Sequence, residues 1–331
     1  MPATATGRLD ELRADFERVM GRPFTHFHCL ILDRDDDVEF CKGHIVSQAF
    51  PGAVRWTVQR KDVDNFYGGK FEGDFLGIQN RGLDFERIIA DKVLSQRLRP
   101  KVSVAGRRVE LYRTDGPIPK EHSHLLVEGE NGPVRFALRL RHEEAMALGN
   151  ENWHIDIERD LRIPALVSLL KAAHLTLFEM LGYRYARSTG GLLLGKDVLG
   201  KFFHENVGWP KDEAQARAVP FFREWRHAVR PMTGAIDRFA GTVNDGQLFI
   251  CRHGDLLWAA MVLVRAADGV HAVLAPLFEE AAGAVRYLRF LDSPEDHIQV
   301  QYTRFENEAW NADIKRTTLA WPKREDGYPS S

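Results

Sequence analysis

A chain of 331 residues, 44% hydrophobic and 28% charged, has the make-up of a globular protein with room for one large domain or two unequal ones. Its net charge of −2 gives no overall attraction to nucleic acid, so such binding would need a local basic patch. No apolar run reaches the roughly 18–20 residues of a membrane span, the first twenty residues hold no apolar signal core, and three cysteines are too few for a disulfide framework, which makes the cytoplasm the expected compartment.

Leu9, Leu12, Phe16, Val19 and Met20 recur at helical spacing and predict an opening helix over 8–20. A strand is expected over "FTHFHCLILD", then a solvated acidic hairpin tip at 33–37, then a second strand in "VEFCKGHIVSQAF", stopped by Pro51-Gly52. "VRWTVQ" (54–59) is extended. "VDNFYGGKFEGDFLGIQ" (63–79) reads as a short helix capped by Asp64 or Asn65 and loosened by its glycines. Texture changes near Pro100, after which "KVSVAGRRVELYR" and "HSHLLVEGENGPVRFALRLR" are expected strands. The strongest helix is 163–186, with Pro164 in its first turn and a stripe from Leu166 to Leu181. Helices follow near 196–205 and 211–228, then a strand meander over 246–278 and a frayed tail. The fold class is α+β, divided into 1–100 and 101–331.

One phrase carries chemistry. "HIVSQAF" (44–50), at the end of a two-strand unit, stands twenty-one residues before Asn65 on the short helix. This resembles the HNH, or ββα-metal, nuclease motif, whose histidine phrase runs His-Ile-Ile/Val-Pro-x-Ser/Ala-Phe/Leu. "DNFYGGKFEGDF" is similar to the helix segment of a branch in which Cys-x-x-Cys-Asn is followed by Gly and Glu. The likeness covers about residues 24–80. It implies an N-terminal ββα module, His44 as the general base that activates water, and Asn65 as a helix-borne ligand of one Mg²⁺ or Mn²⁺ ion that stabilises phosphodiester charge. Asp64 and Glu72 are the carboxylates available to that ion. Glu72, seven residues past Asn65, falls on the same helical face and suits an outer role.

The chain also departs from the pattern. Gly43 stands where the family places a metal-ligating side chain, and Ser47 replaces its proline. Of the positions that would hold a structural zinc, only Cys29 keeps a cysteine; Leu32, Lys61 and Asp64 occupy the others, so no structural zinc is expected. Arg107, Arg108, Arg113, Arg139 and Arg141, with "RLRPK" at 97–101, would offer DNA or RNA a basic sheet face if their strands share it. "STGGLLLGK" (188–196) lacks the Gly-Lys-Ser/Thr ending of a phosphate loop, and His174 is expected to be a satisfied helix histidine. Three functions remain open: a metal-dependent HNH endonuclease acting on DNA or RNA, a catalytically silent HNH-like scaffold that binds nucleic acid or a partner protein, and, with the ββα pattern accidental, a small-molecule-binding domain. No membrane partner is expected, and self-association is left open.

Overall fold

The computed structural model describes residues 5–45, 55–72, 101–104, 107–114, 117–129, 132–147, 153–154, 163–232, 247–266, 269–306, 309–310 and 315–321. The opening helical spacing forms α1 (Ala5–Met20), which buries Leu12 and Phe16. Phe16 meets Tyr183 edge-on, with ring centroids 5.1 Å apart. The strand expected over 24–33 shrinks to β1 (His28–Cys29), paired with β2 (Arg34–Asp35). The Asp33 amide donates back to the Cys29 carbonyl at 2.8 Å and Asp33 takes a φ of 53°, which turns the chain at once. Leu30, Ile31 and Leu32 are consecutively buried, so no alternating face exists to extend the strand.

The acidic tip is not simply solvated. Asp33 takes hydrogen bonds from Arg187 and Lys196, Arg22 donates twice to Asp35, and Asp36 accepts from Arg60; only Asp37 is fully open to water. The Arg22 guanidinium holds the Asp35 carboxyl down at about 2.

The second expected strand is β3 (Phe40–His44), antiparallel to β4 (Trp56–Arg60) with His44 opposite Trp56. The chain then enters α2 (Lys61–Tyr67) without a loop. Asp64 and Asn65 therefore lie inside the helix, three to four residues past its start, rather than capping it. A π-helical turn, Gly68–Glu72, continues it. Ser47, the Pro51-Gly52 break, residues 73–79 and Arg97–Pro100 lie outside the described residues.

Strands β5 (Lys101–Val104), β6 (Arg107–Arg113), β7 (Ser123–Gly129), β8 (Gly132–Leu138) and β9 (Trp153–His154) form an antiparallel sheet in the order β7-β8-β6-β5-β9, with α3 (His142–Ala147) between β8 and β9. The long helix α4 (Ile163–Arg187) breaks at Gly182, where φ is 62°. Asp15 accepts a hydrogen bond from the Tyr183 amide at 2.6 Å and so caps the second segment. Next come α5 (Thr189–Leu192), a π-helical stretch Leu193–Gly200, α6 (Lys201–Asn206) and α7 (Lys211–Phe221). A short 3₁₀ turn, Glu224–Ala228, leads into β10 (Val229–Met232).

The expected meander is present as β11 (Gln247–His253), β12 (Leu256–Ala266) and β13 (Gly269–Pro276). After α8 (Ala281–Asp292), β14 (His297–Glu306) joins β11, and β15 (Ala309–Trp310) and β16 (Lys315–Ala320) pair with β14. The fold class is thus α+β, with mixed helices and antiparallel sheets.

The chain divides at places other than residue 100. One compact unit combines residues 1–75 with 163–331, and the other holds 76–162. The reason is α4, whose apolar surface packs on α1, β4 and the Gly68–Glu72 turn as well as on β12 and β13. By length and composition Ala165–Arg187 is apolar enough to cross a bilayer, but most of it is buried within this unit. The glycines of "STGGLLLGK" serve packing. A Cβ on Gly190 would stand 2.7 Å from the Pro276 carbonyl oxygen, and one on Gly195 2.5 Å from that of Leu30.

His174 lies in the α4 core, fully buried, as expected of a satisfied histidine. Its Nδ1 is 2.9 Å from the Tyr185 hydroxyl and its Nε2 3.4 Å from the Leu30 carbonyl, so the neutral Nε2–H tautomer satisfies both. Burial pushes its pKa down to about 4. The unfolded chain therefore takes up this proton at higher pH than the folded one. The His174 contribution is complete above the unfolded value near 6.5 and is lost as pH falls toward 4, by roughly 3 kcal/mol. Urea unfolding at pH 7 and pH 4.5 should show this loss in the native chain and a smaller one in His174→Gln; equal losses would show that the proton is taken up elsewhere.

Candidate functional site

Two stretches about a hundred residues apart in sequence meet at one buried ammonium. Lys171, on the face of α4 that meets α2, is 1% exposed. Its Nζ donates to Asp64 Oδ1 at 2.9 Å and to Glu72 Oε1 at 3.1 Å, and lies 5.9 Å from the centre of the Tyr67 ring. Burial pushes the lysine pKa down, but the pull of Glu72 and Asp64 outweighs it and the net shift is upward, so the ammonium stays charged. On the other side of Asp64, the Cys41 thiol points at Oδ2 from 3.7 Å. Burial, and then the Asp64 charge, raise that thiol to about 11, so it stays protonated at neutral pH.

The winding of the helix decides which carboxylates meet. In an unbroken α-helix at about 100° per residue, Glu72 would align with Asn65. The Gly68–Glu72 turn is π-helical and winds through fewer degrees per residue, so Glu72 aligns with Asp64 instead. The expected Asn65–Glu72 face is thereby replaced by an Asp64–Glu72 face. Asn65 itself is exposed, about 100° round α2 from Asp64 and away from the Lys171 cluster.

His44 stands at the end of β3, half-buried. Alternation along the strand puts it on the side of Phe40 and Lys42, opposite Cys41 and Gly43. Burial, followed by the nearby Lys42 charge, lowers its pKa, while Asp64 and Glu72 pull it back through space. At neutral pH the imidazole is uncharged and within the field of both carboxylates. The β3 strand also exposes Phe40 (45%) and Lys42, whose Nζ lies 4.5 Å over the half-buried Trp56 ring.

Gly43 is fixed by its neighbour. A Cβ there would lie 1.9 Å from Gln59 Nε2, because the buried Gln59 side chain already fills the space beside residue 43. Both polar atoms of that carboxamide, and the hydroxyl of Thr57 on the same face of β4, lack a hydrogen-bond partner among the described residues.

These residues do not fit a divalent cation. Asp64 and Glu72 are the carboxylates in place, and the Lys171 ammonium already sits between them. Cys41 is a neutral thiol, and Gly43 has no donor to add. Among the described residues no group of three or more His, Cys, Asp or Glu side chains could hold a metal ion. The positions at which the resemblance would put zinc ligands are engaged otherwise: the buried Cys29 thiol is raised to about 11, Leu32 is core, and Lys61 pairs with Glu39 at 2.7 Å.

The arginines of the expected basic face come from β6 and from the turn after β8. Arg107, Arg108 and Arg113 all stand on β6. Arg139 and Arg141 are exposed beyond the end of β8, in the turn before α3. The side chains of Arg107, Arg108 and Arg113 lie outside the described residues.

Lys171 is the residue that sequence reasoning missed. The available signal was a lone charge within the apolar run "IPALVSLLKAAHLTLF", with no carboxylate within four residues on its own helix. Comparison of the chain with protein-family models, with curated proteins and with solved structures finds no match.

Two variants probe this geometry. Gly43→Asp, which puts back the side chain the nuclease motif calls for, should destabilise the fold by about 1–3 kcal/mol through collision with Gln59, and adding Gln59→Ala should recover most of that in a urea titration. Lys171→Met strands two carboxylates and should lose about 3 kcal/mol. It should also gain a thermal midpoint that rises with millimolar Mn²⁺, whereas the native chain does not respond. A matching rise in the native protein would mean that cation and ammonium coexist.

Proposed function

We propose that residues 24–72 are an HNH-like ββα unit that serves as a nucleic-acid-binding scaffold and carries out no metal-assisted hydrolysis. The observation that carries this reading is the Lys171 ammonium seated between Asp64 and Glu72. A fixed internal charge of +1 compensates the carboxylates that a divalent ion would need, and it cannot leave or open a coordination position. Support for the nuclease ancestry is the order of elements: two antiparallel strands with the histidine at the end of the first, running straight into a helix.

Nucleic acid is the favoured partner because β3 brings an exposed aromatic ring and an exposed ammonium together with the half-buried His44 and Trp56, a combination suited to base stacking and phosphate contact. The second reading, an active phosphodiesterase with His44 as general base, draws on one observation: burial holds the imidazole uncharged at neutral pH, as a base must be.

One set of measurements separates the two. Incubated with plasmid DNA or RNA and Mg²⁺ or Mn²⁺, the protein should leave the substrate intact. In fluorescence anisotropy it should bind labelled DNA or RNA oligonucleotides at 50 mM salt, with affinity that falls steeply toward 200 mM. Phe40→Ala and Lys42→Ala should each weaken that binding by about fivefold or more. Metal-dependent cutting that disappears in His44→Ala would establish the phosphodiesterase reading instead, and absence of binding at low salt would remove nucleic acid as the partner.

A further inference from the structure

A second feature lies in the same compact unit, on residues the nucleic-acid reading does not use. The break of α4 at Gly182, the adjoining face of α1, the start of β12 and the Leu277–Glu280 segment enclose a cavity of about 800 Å³. That volume is within the range of small-molecule sites. Its floor is apolar, with Leu12, Tyr185, Ile250, Leu277 and Phe278 all buried.

One polar group interrupts that floor. Gln301 pairs across the ladder with Ile250, so both stand on the face of the sheet that lines the cavity. Gln301 is only 8% exposed, yet its carboxamide has no hydrogen-bond partner among the described residues. The polar atoms of Gln301 are not among the buried atoms left without a partner, so the carboxamide opens into the cavity it lines, where an occupant can meet it. The carboxamide offers one acceptor and two donor positions, the complement of an amide or of the edge of a nitrogen heterocycle.

The rim fixes the charge. Four arginines and six carboxylates line the cavity, and most are already paired. Arg8 binds Glu11 at 2.8 Å, Arg18 binds Asp15 at 2.5 Å, and Glu179 is held by Arg55 from outside the cavity. Arg252 donates to the Asp255 carbonyl at 2.7 Å. The carboxylates of Asp255, Glu279 and Glu280 have no ion-pair partner among the described residues, against the guanidinium groups of Arg184 and Arg252, which leaves one negative charge over. This residual negative charge disfavours an anion at the mouth.

We propose that the cavity binds a small organic molecule with a flat apolar body and an amide-like or heterocyclic edge, neutral or positively charged, and that Gln301 reads that edge. The site stands independently of nucleic-acid binding at β3.

Three indoles of nearly the same shape test it by calorimetry on the full chain: neutral indole-3-acetamide, cationic tryptamine and anionic indole-3-acetate. The first two should bind with Kd below about 1 mM and the acetate at least about tenfold more weakly. Gln301→Leu should weaken indole-3-acetamide by about tenfold, since it removes the group that meets the amide edge. Leu256→Trp, from the same wall, should fill the cavity and abolish binding. The proposal fails if none of the three probes binds, if the acetate binds as tightly as the amide, or if Gln301→Leu leaves binding unchanged. Unaltered binding in Leu256→Trp would place the ligand elsewhere.

Discussion

The N-terminal strands and helix depend on a charge they do not carry themselves. An ammonium taken out of water loses several kcal/mol of hydration, and that loss is offset only when good acceptors meet it directly. Lys171 meets two, one from the middle of α2 and one from the π-helical turn after it. This contact fixes the rotation of α2, sets which of its residues face inward, and ties it to a helix about a hundred residues later in the chain. So short a segment buries little apolar surface by itself, and α4 adds to it by packing on α1, β4 and the Gly68–Glu72 turn.

Much of the fold could be read from sequence where a single periodicity ruled. The α1 spacing, the apolar stripe of α4 and the β11–β13 meander each came from a repeat long enough to outweigh local exceptions. The stretch at 24–33 could not, because its consecutive burial against helix backbone erases the alternation that marks a strand. The division near residue 100 was a change of texture. The actual division depends on where α4 packs, and no local property of residues 73–100 reports that.

The site was legible in its members but not in its wiring. His44, Asp64 and Glu72 were all identifiable, and the last two do converge. What sequence concealed was a change of helical pitch over five residues. Gly68 and Gly69 lie inside it, yet glycine alone does not distinguish a π-turn from a frayed end. The Gln59 carboxamide beside Gly43 was equally hidden: a missing ligand in sequence turns out to be a position already filled from the neighbouring strand.

The compact unit that begins at residue 1 is interrupted after residue 75 and resumes at residue 163. During synthesis, the first seventy-odd residues must therefore wait for nearly ninety more before α4 emerges to complete their core. Throughout that interval Asp64 and Glu72 remain hydrated and the apolar side of α2 uncovered, while residues 76–162 are free to fold as a unit of their own. Closure over so long an intervening loop is slow on topological grounds, which makes the arrival of α4 the natural commitment step in the maturation of this protein.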